Sequence, residues 1–160
     1  MRISIFAVGR MKAGPERELA GRYLDRLKKS GGPLGLDFAG VSEIVESRAA
    51  QADLRKQEES GKLLETLDQG GALILLDERG KVLGSEAFAN SIARFRDDGK
   101  RQLVLAIGGP DGHDPKLRDR ADIVLALGAM TWPHQIARVL LAEQLYRATT
   151  ILSGHPYHRS

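Results

Sequence analysis

Apolar residues follow two rhythms along this chain. Near-continuous runs rich in Val, Ile and Leu occur at Ile3–Val8, Ala72–Leu76, Leu103–Ile107 and Ile123–Leu127. Short runs with so little alternation predict strands buried on both faces, the parallel-sheet kind. Between them, apolar positions recur at helical spacing. Leu19, Tyr23 and Leu27 mark a helix from Pro15 to about Lys29, and Leu54, Leu63, Leu64 and Leu67 give a thin stripe on a charge-laced helix over 51–67. Further helices are predicted over 85–96, with Ser85 as cap, and from Asp114-Pro115 to about Arg120, where an aspartate cap and a first-turn proline coincide. Leu34–Ile44 is a weaker strand, diluted by Gly, Asp and Ala. Strand–helix alternation of this kind predicts one α/β domain over 1–160, a mostly parallel sheet flanked by helices.

The last predicted helix breaks the pattern. It opens at Pro133, ends at Ser153-Gly154, a left-handed cap, and is apolar on nearly all sides. Ile136, Val139 and Leu140 form one face, and Ala137, Leu141, Leu145, Ala148 and Leu152 another. A surface helix of a monomer buries a single stripe. Two apolar faces predict one packed on the sheet and one on a second copy, a two-fold homodimer.

Composition narrows the classes. At 160 residues, 42% hydrophobic and 28% charged, the chain can bury one ordinary core. A net charge of +3 permits a nucleic-acid partner without requiring one. The absence of cysteine excludes disulfides and thiolate metal sites. The apolar stretch Ile3–Gly9 runs into Arg10 with no small-residue cleavage site, so it reads as a strand and not a signal peptide. No run approaches the ~18 apolar residues of a membrane span. A soluble, cytoplasmic protein with no membrane partner is expected.

Candidate chemistry sits at three strand ends, where ligands bind in open α/β sheets. Leu76-Asp77-Glu78-Arg79-Gly80 is a charged loop after a buried strand. Gly108-Gly109-Pro110-Asp111-Gly112 leaves the next one, its glycines clearing space for a flat ligand. Leu127-Gly128-Ala129-Met130-Thr131-Trp132 enters the last helix. One such loop is turn chemistry; three point to a pocket. Trp132 suits either the core or the pocket wall. Phosphate-loop and dinucleotide fingerprints are missing: Gly9–Pro15 lacks the Lys-Ser/Thr pair, and no G-x-G-x-x-G follows the first strand. His155 and His158, or Asp111, His113 and Asp114, have only chance-level metal spacing, so no metal is expected; Asp114 reads as a helix cap and His113 as solvent-facing. The tail past Gly154 is unlike solvated padding. It carries Tyr157, His158 and Arg159: a ring hydroxyl, a group titrating near neutrality and a fixed cation.

Ile107–Gly112, then Met130-Thr131-Trp132-Pro133-His134, then Val139–Ala148, then Pro156-Tyr157-His158-Arg159 closely resemble, in order and spacing, the RlmH family, bacterial 23S rRNA pseudouridine-1915 N3-methyltransferases and minimal members of the SPOUT superfamily. The resemblance spans the whole chain, the segment 41–67 contributing little. It implies a C-terminal trefoil knot, an exception to unknotted topology, whose loops hold S-adenosyl-L-methionine, with two subunits pairing to complete each site. Leu76, Gly108 and the stretch Leu127, Gly128, Ala129, Met130, Thr131 and Trp132 fall on the family's cofactor positions.

For that target, N3 of pseudouridine must lose a proton before it attacks a sulfonium methyl. His158 is the candidate base, with an RNA-phosphate contact as its other role; Arg159 would stabilise charge on the neighbouring carbonyls, and Tyr157 would stack on or hydrogen-bond to the base. Arg147, four residues after Glu143, reads as a surface pair. With no appended RNA-binding domain, a large preformed substrate is favoured, 23S rRNA in the large subunit or the assembled ribosome. The alternatives are a SPOUT methyltransferase acting on tRNA, a non-catalytic ribosome or RNA-binding factor, and a metal-dependent hydrolase using Asp111, His113 and the tail histidines.

Overall fold

The computed structural model describes residues 1–159. Strands β1 (Arg2–Val8), β2 (Asp37–Ile44), β3 (Ala72–Val82), β4 (Gln102–Ile107) and β5 (Ile123–Ala126) are interleaved with helices α1 (Pro15–Gly31), α2 (Ala52–Thr66), α3 (Ser85–Asp97), α4 (Pro115–Arg120) and α5 (His134–Leu152). All strand pairs are parallel, in the order β2-β1-β4-β3-β5. The central strand β4 is buried at all six positions, which is why its sequence shows no alternation. The α/β class, the mostly parallel sheet and the flanking helices are thus as the periodicity predicts.

Alternate strand residues feed two cores. Ile3, Ile5, Ile74, Leu103 and Leu105 face α1, α3 and α5 through Leu27, Phe88, Ile92, Leu141 and Leu145. Phe6, Val8, Leu73, Leu75 and Val104 face α2 and α4 through Leu63 and Leu117. Leu141 and Leu145 are 0% and 1% exposed, so truncating either to alanine costs about 2–5 kcal/mol.

Helix α5 lies between α1 and α3, and this changes the meaning of its apolar faces. Val139 and Ala142 pack on Ala20 of α1, while Leu141, Leu145 and Ala148 sit on the sheet-side core. Much of the apolar surface that suggested a second copy is therefore buried within the chain; Ile136 and Leu140 stay half-exposed. Near its start, Arg138 is buried, donating to the Glu43 carboxylate and the Gly9 carbonyl. It ties α5 to the ends of β1 and β2. The helix closes in a Schellman turn: Gly154, at φ 69, donates to Ile151 O at 3.2 Å and His155 N to Thr150 O at 2.9 Å.

Three local expectations fail for identifiable reasons. β2 begins at Asp37, not Leu34, because Gly32–Leu34 form a 3₁₀ turn. Ser85 does not cap α3: the cap position is Gly84, and the Ser85 hydroxyl donates instead to Gln144 Oε1 at 2.9 Å. The stretch after Leu76 is no free loop. β3 continues to Val82, irregular between Leu76 and Lys81, then pairs again with β5. Gly80 makes that possible, because a Cβ there would stand 2.6 Å from Val124 O. Asp114 does cap α4, accepting from Lys116 N at 2.8 Å.

Candidate active site

The carboxyl ends of β3, β4 and β5 surround an open cleft of about 280 Å³. β3 contributes Leu76, Asp77 and Arg79, the turn after β4 contributes Gly108 to His113, and the segment into α5 contributes Leu127, Gly128, Met130, Thr131 and Trp132. The three odd strand ends thus meet in one place. Of the residues expected to touch a cofactor, Ala129 alone is not on the lining. Trp132 is 41% exposed and Met130 74%, so the tryptophan is a wall of the cleft and not a core residue. Its indole N–H donates to Leu127 O at 3.1 Å, fixing the ring across the β5 end.

Side chains behind the turn crowd Gly108 and Gly109 as well. A Cβ on Gly108 would meet the His113 ring at 3.1 Å, and one on Gly109 would meet Glu59 Oε2 and Val8 Cγ1 at 3.0 Å. The turn is pressed onto buried side chains behind it. His113, expected in solvent, is one of them. It is buried, with Nε2 3.0 Å from Leu76 O. A carbonyl only accepts, so Nε2 carries the proton. Burial holds the ring below the usual histidine pKa, against the opposing pull of that hydrogen bond and of the nearby Asp77 charge. Glu59 is also buried, and burial raises its pKa although Ser47 N donates to it at 2.9 Å.

The rim charges are engaged. Asp77 pairs with Arg118 at 2.6 Å and accepts from Arg79 N at 2.9 Å. Asp111 receives Arg55 through two bonds, at 2.6 and 3.0 Å, which hold its carboxyl below the usual range. Arg55 also donates to Ala49 O at 2.9 Å, so the segment after β2 is anchored to the cleft rim. Among the described residues, no three His, Asp or Glu side chains converge as metal ligands.

The tail does not hang free. It folds back onto α5. The Tyr157 hydroxyl donates to Glu143 Oε1 at 3.1 Å, and Arg147 donates to the same oxygen at 2.6 and 2.9 Å. The Arg147 guanidinium lies 4.9 Å from the Tyr157 ring centre, and that ring sits 4.9 Å from Tyr146. What looked like a surface pair is the hub that docks the tail. Burial, hydrogen bonding to Tyr23 and the Glu143 charge push the Tyr157 pKa up to about 12. In this docked position the Tyr157 hydroxyl keeps its proton and donates it to Glu143. His158 Nδ1 lies 3.3 Å from Arg147 Nη1, and its Nε2 lies 3.5 Å from Glu86 Oε1. A guanidinium only donates, so in this contact the neutral ring carries its proton on Nε2. Arg159 is exposed.

None of Tyr157, His158 and Arg159 lines the cleft. On α5 the cleft is reached by His134 and Ala137, whereas the tail rests on Glu143, Tyr146 and Arg147. Ala137 and Arg147 are about 15 Å apart along the helix axis at 1.5 Å per residue.

Known proteins supply the context for this geometry. A family model described as predicted SPOUT methyltransferase matches residues 1–158. The chain belongs to the SPOUT methyltransferase family. Curated relatives called ribosomal RNA large subunit methyltransferase H are 75% identical over 160 residues in Brucella anthropi and 70% identical over 169 in Brucella abortus. A third, from Brucella melitensis biotype 2, is 68% identical over 174 residues; in all three, both chains are covered completely.

For a SPOUT methyltransferase the all-parallel sheet is the expected frame, and the cleft at its carboxyl edge has the makings of a methyl-donor site. Leu76, Ile107, Leu125, Leu127 and Trp132 offer apolar surface to a flat ring. Asp77 and Glu78 also lie on the lining, the Asp77 carboxylate being paired with Arg118. Asp77–Arg118, Asp111–Arg55 and Arg138–Glu43 left no sequence signal, because the partners are 41, 56 and 95 residues apart.

Proposed function

We propose that this methyltransferase transfers a methyl group from S-adenosyl-L-methionine to N3 of pseudouridine 1915 in 23S rRNA, taking the large subunit or the assembled ribosome as substrate, and that it does so as a cytoplasmic homodimer. The shared name of full-length relatives at 68–75% identity supports an rRNA substrate. The observation that carries the site assignment is the meeting of three strand ends around one cleft with a tryptophan wall. S-adenosyl-L-methionine bound there supplies an electrophilic methyl group on a sulfonium. Leu76, Gly108, Leu127, Gly128, Met130, Thr131 and Trp132 would hold it, with Ala129 shaping the loop from outside the lining.

The tail supplies the chemistry toward RNA. Arg159 meets charge developing on the base carbonyls, Tyr157 donates a hydrogen bond or stacks, and His158 takes the N3 proton. With its proton on Nε2 and Nδ1 engaged by Arg147, His158 can accept the N3 proton only at Nδ1 and only after Arg147 releases it, so the tail must leave its docked position to act. A tail that leaves its own α5 and a cleft that lacks one fit a two-fold pair, in which each tail completes the partner's cleft. Half-exposed Ile136 and Leu140, together with Leu19 at 40% exposure, support such a contact. The trefoil knot belongs to the same proposal: β5 follows β4 in sequence yet lies beyond β3, so the chain passes back across the sheet beside the cleft.

Nucleoside mass analysis of 23S rRNA from a deletion strain tests the reading. Loss of one methylated pseudouridine, restored by the intact gene, is expected. Unchanged rRNA, or loss of a methyl group from tRNA, would overturn it. Sedimentation at micromolar concentration should give the mass of two chains, and the mass of one would remove the paired site.

A further inference from the structure

The backbone ladder between β3 and β4 ends at the pair Leu76 and Ile107. Past it the two strands diverge, β4 into the Gly109–Gly112 turn and β3 toward β5. The cleft opens at that divergence, with Leu76 at its edge. The His113 imidazole takes over that carbonyl at 3.0 Å. The same ring is wedged beneath Gly108, where a Cβ would come within 3.1 Å of Cε1 and 3.2 Å of Nε2. One side chain thus touches both strand ends, bonding one and supporting the other. Asp114, the next residue, caps α4 and fixes the backbone that carries the ring. The charged groups nearby, Asp77 from β3 and Arg118 from α4, are paired with each other at 2.6 Å.

We propose that His113 is a positioning residue for methyl-donor binding, setting the separation of the Leu76 and Gly108 strand ends through its Nε2–H bond and its ring. This rests on the assignment of the cleft to S-adenosyl-L-methionine. It acts through Leu76 and Gly108, which meet the ligand, and it takes no part in proton transfer. Neutrality suits the task. A buried neutral ring with Nε2–H offers the donor that the Leu76 carbonyl requires.

Isothermal titration of the whole protein with S-adenosyl-L-methionine and with S-adenosylhomocysteine separates positioning from bulk stability. His113→Leu fills similar space without a donor and should weaken both ligands about tenfold, with cooperative unfolding retained. His113→Gln can present an N–H to Leu76 O and should recover most of the affinity. Gly108→Ala presses on the ring and should weaken binding when His113 is present. In the His113→Leu background the same alanine should have a much smaller effect, a coupling that general destabilisation does not produce. Should His113→Leu fail to fold, the Gln and Gly108→Ala variants still decide. Equal affinities in wild type, His113→Leu and Gly108→Ala would overturn the proposal, as would a Gln variant that is folded and binds no better than Leu. Wild-type protein that binds neither ligand would overturn the cleft assignment itself, a separate result.

Discussion

The cleft and the tail are two ways of building half of a site. The cleft is made by backbone: strand ends, glycines and main-chain carbonyls, each held from behind by a side chain such as His113 or Trp132. The tail is made by side chains: the Tyr157 and His158 rings, held against α5 by the Glu143 carboxylate and the Arg147 guanidinium. The first is pre-set by the sheet, and the second is held by a few polar contacts that can be exchanged for others. A donor site gains from rigidity, since displacement demands alignment. A tail that must engage RNA gains from being able to leave. On the proposed function, the comparison teaches that a small methyltransferase can keep its methyl-binding and base-binding halves apart within one chain.

The largest way to break the comparison is to remove one half. A chain ending at Ser153 should lose methyl transfer by at least about 100-fold, the scale of a general base, while S-adenosyl-L-methionine affinity stays within twofold by calorimetry. Loss of affinity would mean that the tail belongs to the cleft after all. Next in size, Glu143→Gln removes the charge on which Tyr157 and Arg147 converge. Because the docked tail must be released before it acts, turnover should rise, by up to about tenfold for roughly one charge-assisted hydrogen bond, again with donor affinity intact.

The smallest effect lies on the cleft side and concerns pH. His113 is held below its usual pKa by burial, whereas in the unfolded chain it titrates near the ordinary value of about 6.5. As pH falls below that value the unfolded chain takes up the proton first, so stability falls with acidification, by at most about 1.4 kcal/mol per pH unit. Denaturant midpoints between pH 7 and 5 check this. His113→Gln should flatten that part of the profile, and an unchanged slope would mean that other groups dominate.

Much of this was legible in the sequence. Apolar runs gave the strands because buried parallel strands need no alternation, and Gly108-Gly109 and Gly128 marked loops that do meet. The invisible parts were long-range. Nothing near His113 in sequence says that the ring meets the Leu76 carbonyl of β3, so a histidine in a polar loop read as exposed. The glycine pair read as room for a ligand, and the crowding by His113 and Glu59 behind it left no mark in the sequence. Helix α5 read as an interface from its two apolar faces, and nothing in the sequence said that α1 and α3 would cover much of them. The tail was recognised by its chemistry, but its docking on Glu143 depended on a turn that reverses the chain after Gly154.

The central claim, that one chain's cleft works with another chain's tail, is tested most directly by a mixed dimer. One subunit carries Gly108→Val, which disables its cleft, and its partner ends at Ser153 and lacks the tail. Each homodimer should be inactive. The purified heterodimer holds one intact combination, the truncated chain's cleft with the other chain's tail, and should methylate ribosomes at about half the wild-type rate. Activity no higher than that of the two inactive homodimers would contradict the account, because it would require cleft and tail to act within a single chain.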